Sequence, residues 1–319
     1  MRTVVTDSPD EAAVFIKHGG IVAFPTETVF GLGADIFDPT AIGKIFAAKR
    51  RPADNPLIAH VGLLEQIGEL VEEIPVSAQR LIDRFFPGPL TLVLKKTARV
   101  PLIATAGLDT IGVRMPGNKL ANEFLLACGT PVVAPSANVS GRPSATTWHA
   151  VYEDLNGRTD CILKGESTLI GLESTVVDCS GEVPLVLRSG AVSIEQIQEF
   201  IPEIQAYKAT LGDTVRSPGL KHRHYSPQAR VVLMDVQADA GVTRSEDGYL
   251  NSAFIGITPP AHKYAVEHIC SGVDEYAHFV FEFFRKCDRS GVEKIYCQIV
   301  KERGIGTALM DRLRRAAAG

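Results

Sequence analysis

The pattern of apolar and polar positions divides the chain into short buried segments joined by helices with marked ends. Ser8-Pro9-Asp10-Glu11 carries a capping-box pattern with proline at the first helical position, and Gly19-Gly20 closes the helix it opens. Residues 21–24 then form a short apolar strand that runs into Pro25-Thr26-Glu27-Thr28. Asp38-Pro39 opens a second helix, with Ala41, Ile42, Ile45 and Phe46 at helical spacing. Pro52 disfavours the α conformation in the residue before it, so this helix ends near Arg51. Residues 57–61, 90–94, 111–113, 132–134 and 175–177 read as further short strands. Helical stretches near 77–86, 120–127 and 194–200 lie between several of them.

This is the pattern of a mixed α/β domain over residues 1–205, a size that suits one core. From 206 to 228 the periodicity fades. Gly212, Pro218, Gly219 and Pro227 punctuate a stretch holding Lys208, Arg216, Lys221 and Arg223 against Asp213. Such a stretch is long for an unstructured loop and reads as a linker or a functional loop. Residues 229–319 carry strands near 231–234, 253–257 and 294–299 and helices near 274–286 and 306–317, a second and smaller α/β unit.

Composition narrows the class. With 319 residues, 45% of them hydrophobic and 22% charged, the chain is globular and long enough for two cores. A net charge of -4 argues against nucleic-acid binding through bulk positive charge, although an average can hide a local basic patch. No two of the six cysteines are spaced as a zinc ribbon or redox pair requires, so buried, reduced thiols are expected. The polar N-terminus and the lack of an apolar run of about 20 residues lead us to expect a soluble, cytoplasmic protein.

Several strand ends carry candidate chemistry. If the chain is extended before Pro52, Lys49 and Arg51 project from one side, and two such cations suit a polyphosphate. From spacing alone, a solvated basic helix end is the simpler account. Ser136 and Asn138 share a side of the segment after 132–134, beyond a strand end where open α/β sheets bind ligands; taken by themselves, an ordinary polar turn is the simpler account. Arg114 and Arg188 end strands, where each could clamp a carboxylate or phosphate through its planar fork or simply meet solvent. His60 ends another strand, and Glu173-Ser174-Thr175 adds hydroxyls to the same rim. His222 and His224 lack acidic or thiol neighbours and sit among cations, so they read as part of an anion-facing loop, not a metal site. Neither a dinucleotide fingerprint nor a P-loop is present.

Read in order, these segments resemble the threonylcarbamoyl-AMP synthases in the long, two-domain form of the YrdC-like family. The resemblance rests on 25–33 (Pro-Thr-Glu-Thr-Val-Phe-Gly-Leu-Gly), Lys49-Arg50-Arg51-Pro52 with Asn55-Pro56-Leu57, and Phe86-Pro87-Gly88-Pro89-Leu90-Thr91. It continues through Gly112-Val113-Arg114-Met115-Pro116, Ala134-Pro135-Ser136-Ala137-Asn138, Glu173-Ser174-Thr175, Leu187-Arg188-Ser189-Gly190 and the 217–227 segment. Phe30 departs from the pattern, since many members have tyrosine there.

The resemblance implies an N-terminal YrdC-like domain on a twisted mixed sheet with helices, plus a smaller C-terminal α/β domain of Rossmann-like kind. It implies a nucleotidyltransferase that makes threonylcarbamoyl-AMP and pyrophosphate from L-threonine, bicarbonate and ATP, with Mg2+ on the phosphates. The product would be handed to a tRNA threonylcarbamoyl-transfer complex. By position, Thr28, His60, Arg114, Ala134 and Ser174 would hold threonine. Arg51, Asn55, Thr110, Ser136, Ser144, Arg188 and Tyr225 would contact ATP. Lys49, Arg51, Ser136 and Asn138 carry the family's K-x-R and S-x-N signatures, and Tyr225 would make the linker a lid. The rival reading, a tRNA- or double-stranded-RNA-binding module without adenylylation, is disfavoured by the acidic net charge and by cations gathered in short motifs.

Overall fold

Two sheets account for the strands of the computed structural model, which describes residues 2–207, 225–236 and 251–318. In spatial order the first sheet runs β1 (Val4–Thr6), β8 (Cys161–Leu163), β2 (Val22–Phe24), β3 (Gly31–Asp35), β7 (Val132–Ala134) and β4 (Ile58–His60). It continues through β6 (Thr110–Arg114), β5 (Leu90–Lys95), β9 (Thr175–Asp178), β10 (Leu185–Arg188) and β11 (Gln205–Ala206). Pairing is mixed: β4 lies parallel to β6 and antiparallel to β7. The second sheet is parallel throughout, in the order β12 (Arg230–Met234), β15 (Lys294–Gln298), β13 (Ser252–Gly256), β14 (Val266–Ile269). The helices described are α1 (Pro9–Lys17), α2 (Pro39–Lys49), α3 (Ile67–Leu70), α4 (Val76–Phe85), α5 (Leu102–Thr105), α6 (Lys119–Cys128), α7 (Trp148–Leu155), α8 (Ile194–Gln198), α9 (Val273–Ser290) and α10 (Ile305–Ala317). The expected mixed sheet with helices, followed by a smaller α/β unit, is what forms.

The central strands decide where a site can lie. Side chains alternate across a strand, so the register sorts them onto two faces. Ala59, Val113, Val133, Leu92, Ile111 and Val177 enter one apolar core with Ile42 and Ile45 of α2 and Leu81 and Ile82 of α4. The opposite face carries Ile58, His60, Gly112, Arg114 and Ala134, aligned because Ile58 pairs with both Gly112 and Ala134 while His60 pairs with Arg114. On β4 and β6 the polar side chains are thus confined to one side.

Local details depart from the sequence reading in two places. Ser8 caps α1 by accepting from the amide of Glu11 at 3.3 Å, but the capping box is only half made. The Ser8 amide bonds Thr6 Oγ1 instead, and the Glu11 carboxylate takes the Thr6 hydroxyl at 2.5 Å. At the end of α2, Arg50 adopts a left-handed conformation (φ 53°), so the chain turns between Lys49 and Arg51 where an extended segment was expected.

The smaller unit packs α9 and α10 against its sheet. Tyr276, Val280, Phe281, Phe284, Leu309 and Leu313 share a core that also takes in Leu172 and Tyr225. All six cysteines are buried and unpaired, as expected. No helix among the described residues is long and apolar enough to cross a membrane.

Candidate active site

The polar face of the central sheet floors an open cavity, with about 680 Å³ of empty space counting its solvent-filled mouth. His60 and Arg114 stand side by side on β4 and β6, and Ala134 lies across from Ile58 on β7. Because β7 runs against β4, the cavity spreads along the sheet face rather than off one edge of strand ends, as the strand-end argument had placed it. The walls are loops: Thr26 to Gly31 before β3, Pro135 to Ser144 after β7, and Glu173-Ser174 before β9. Arg51, Arg188 and Tyr225 complete the lining.

Charge defines what this space can hold. Among the described residues, four arginines, Arg51, Arg114, Arg142 and Arg188, line it with one carboxylate, Glu173. Arg114 donates from Nε to the Gly88 carbonyl at 3.2 Å and from Nη1 to Thr28 Oγ1 at 2.8 Å, and its Nη2 lies 2.7 Å from Glu27. Arg188 forks onto Ser174, reaching the carbonyl from Nε at 3.1 Å and from Nη2 at 3.0 Å, and the hydroxyl from Nη2 at 3.2 Å. Burial lowers the pKa of Arg188, and it lowers Arg51 to about 10, which leaves Arg51 charged at neutral pH. Burial pushes the Glu173 carboxyl up, but Arg312, Arg188 and the Ser144 hydroxyl together bring it below the usual carboxylate value. Burial, reinforced by Arg114, lowers His60 to about 3, so its imidazole is neutral; Nδ1 lies 3.1 Å from the Ile58 carbonyl. A neutral imidazole beside fixed guanidiniums leaves the cavity positive. Anions fit it.

The residues predicted to hold threonine, namely Thr28, His60, Arg114, Ala134 and Ser174, all line this one cavity. So do Arg51, Ser136, Asn138, Ser144, Arg188 and Tyr225. Three predicted residues do not. Thr110 lines a smaller adjoining pocket of about 270 Å³ with Thr91, Val93, Leu108 and Gly112, and Ile58 borders both spaces. Asn55 is buried beside Arg51, its carbonyl accepting from Nη2 at 3.3 Å. Lys49, 1% exposed, lies behind the loop after β7, where Nζ donates to the carbonyls of Ser136 and Asn138 at 2.5 Å each. Ser136 in turn donates to Asn138 Oδ1 at 2.6 Å, and Asn138 Nδ2 bonds the carbonyls of Val139 and Arg142. His222, His224 and most of the 206–228 segment lie outside the described residues.

Sequence reasoning missed the carboxylate role of Glu173, the arginine at 142, and two arginines of the C-terminal unit that reach this region, Arg285 and Arg312. Arg285 pairs with Asp154 at 2.8 Å and Arg312 with Glu173 at 3.0 Å, partners 131 and 139 residues away. No local spacing could have signalled either.

A sequence family described as "Telomere recombination" matches residues 14–190, and one described as "Threonylcarbamoyl-AMP synthase, C-terminal domain" matches 192–318. A threonylcarbamoyl-AMP synthase of Pyrococcus abyssi is 44% identical over 317 residues, covering 96% of this chain and 93% of that protein. The chain belongs to the threonylcarbamoyl-AMP synthase family. The Bacillus subtilis member is 36% identical over 97% of this chain and 92% of its own. The crystal structure of P. abyssi Sua5 complexed with L-threonine superposes with a TM-score of 0.89 at 41% identity, covering 99% of this chain and 97% of that one. Both units of this synthase-family chain are therefore matched, and the two-domain form expected from the sequence is shared along nearly its whole length.

Proposed function

We propose that the cavity is the site at which this chain makes threonylcarbamoyl-AMP and pyrophosphate from L-threonine, bicarbonate and ATP. The observation that carries the reading is the convergence of Arg51, Arg114, Arg142 and Arg188 on one sheet face, beside small hydroxyl side chains and a neutral histidine. Arg114 meets the threonine carboxylate, with Thr28, His60, Ala134 and Ser174 shaping the space for its side chain. Arg51, Ser136, Ser144, Arg188 and Tyr225 face the triphosphate and ribose. The smaller pocket with Thr110 and Gly112 is lined mostly by apolar side chains and meets this space at Ile58, so the nucleobase would lie against its mouth.

The neutral amine of threonine condenses with bicarbonate to give a carbamate and water, and a carbamate oxygen attacks the α-phosphorus of ATP as pyrophosphate leaves. That nucleophile already carries its negative charge, so no strong base is required. Alignment and charge stabilisation by fixed guanidiniums supply the acceleration. Lys49 holds the loop carrying Ser136 and Asn138 from behind.

Mg2+ fits this donor set only as an ion borne by the nucleotide. Among the described residues, Glu173 is the one carboxylate lining the cavity and is engaged by Ser144 and Arg312, and no group of three His, Cys, Asp or Glu could cage a metal. Bound to the phosphates, Mg2+ would neutralise part of their charge. The product would pass to a tRNA-modifying transfer system.

The test is pyrophosphate release from ATP with threonine and bicarbonate omitted in turn. Dependence on both is expected; release that ignores either one overturns the reading.

A further inference from the structure

The two largest fully buried side chains in the described residues are arginines, Arg285 of α9 and Arg312 of α10. Both leave the C-terminal domain and end against the walls of the cavity. Arg285 grips Asp154 of α7 with Nη1 at 3.2 Å and Nη2 at 2.8 Å, and Nη2 also donates to the Pro143 carbonyl at 2.6 Å. The same Asp154 carboxylate accepts from the Val139 amide at 3.2 Å and from Arg142 Nη1 at 2.6 Å. Arg312 holds Oε2 of Glu173 at 3.0 Å, while Oε1 accepts from Ser144 at 2.6 Å. Its guanidinium also lies 5.5 Å from the ring centroid of Tyr225, which stacks on Phe281 of α9 at 5.3 Å.

These bonds converge on one loop. Val139, Arg142, Pro143 and Ser144 form the run that follows Ser136 and Asn138, and each is fixed directly or through one carboxylate by an arginine of the other domain. Buried ion pairs stabilise a fold little better than apolar packing of the same volume, so what such pairs supply here is geometry. Each arginine even leaves one nitrogen, Nε of Arg285 and Nη2 of Arg312, without a hydrogen-bond acceptor. We propose that Arg285 and Arg312 are positioning residues of the adenylylation site, through which the docked C-terminal domain sets the 139–144 loop and the Glu173–Tyr225 wall. The proposal rests on the functional reading above only for its kinetic arm.

The test uses full-length Arg285→Met, Arg312→Met and Arg312→Lys. Phe254→Leu serves as control, a fully buried C-terminal residue in a separate apolar cluster with Met234 and Tyr264. In ligand-free protein, amide exchange across 138–144 is expected to rise about tenfold or more in Arg285→Met as the Val139 anchor loosens. In both methionine variants kcat/KM for ATP is expected to fall about 10- to 100-fold, with Arg312→Lys between them and wild type. The control should lower the melting temperature and leave both readouts at wild-type values. Folded arginine variants with wild-type exchange and kcat/KM, or a control that matches them, overturn the proposal. If Arg285→Met does not fold, Arg285→Lys keeps the charge, loses the fork and takes the same two readouts. Should wild type release no pyrophosphate, the functional reading fails while the exchange experiment still decides this one.

Discussion

Arg114 Nη2 lies 2.7 Å from Glu27 Oε1, and both side chains are buried. The contact is an ion pair without hydrogen-bond alignment, since neither atom has a conventional partner. A guanidinium held this way is fixed by Gly88 and Thr28 and still has N–H groups for a second carboxylate. Arg114→Ala should abolish threonine-dependent pyrophosphate release. It should also destabilise the fold by about 3–5 kcal/mol, because Glu27 is left as an uncompensated buried charge. Urea denaturation and calorimetric titration with threonine measure the two effects. Wild-type threonine affinity in a folded Arg114→Lys would remove the residue from the role proposed for it.

His60 gives a pH signature. Burial, with Arg114 beside it, lowers its folded pKa to about 3, against about 6.5 in an unfolded chain. Between these values the unfolded state binds a proton that the folded state does not, so stability rises with pH across this window and is lost as pH falls from about 6.5 towards 3. The slope from this one group is at most about 1.4 kcal/mol per pH unit. His60→Gln should flatten the acid limb of the urea-midpoint profile by roughly that slope. An unchanged limb would show that His60 is solvated or protonated in the native protein.

Much of this architecture was legible because it is local. Asp38 and Pro39 start α2, the 132–134 strand appears at its expected position, and the segments that resemble the family lie close to the cavity they build. What stayed hidden was set by partners distant in sequence. β3 was not read as a strand because Gly31 and Gly33 lack strand propensity. The close approach of Phe24 and Val132, whose Cγ1 would lie 2.5 Å from a Cβ at Gly33, favours glycine there. α7 and β8 were likewise missed, and with α7 went Asp154, the anchor for Arg285. The turn at Arg50 overrode the extended geometry inferred from Pro52, and so Lys49 went behind the loop while Arg51 reached the cavity.

Gly112 tests the division of ligands between the two spaces. A Cβ there would stand 3.2 Å from Thr91 Cγ2 and 3.4 Å from Ile58 Cγ1, inside the smaller pocket. Gly112→Ala should crowd a bound base and raise the KM for ATP about tenfold, the consequence of about 1–3 kcal/mol of overpacking. Threonine affinity should change far less, because Ile58 alone of the larger cavity's lining meets the new methyl. An effect on threonine alone would move the base away from the smaller pocket.

Lys49→Met separates a buried tether from a source of positive potential. Burial, and next the charge of Arg51, hold the Lys49 pKa well below the usual lysine value, and its Nζ faces the carbonyls of Ser136 and Asn138. Methionine matches the length of the stem but offers no donor, so two buried carbonyls lose their partner at about 1–3 kcal/mol each. Removing a desolvated amine offsets part of that loss. Stability should therefore fall modestly, while the loop holding Ser136 against Asn138 loosens. A positioning role predicts faster amide exchange over 136–140 together with a fall in kcat of about tenfold or more, since small misplacements near the reacting atoms are expensive. If kcat falls while exchange over 136–140 stays at the wild-type rate, Lys49 acts through its field, and the charge on a residue outside the cavity lining would have to reach the phosphates through the loop.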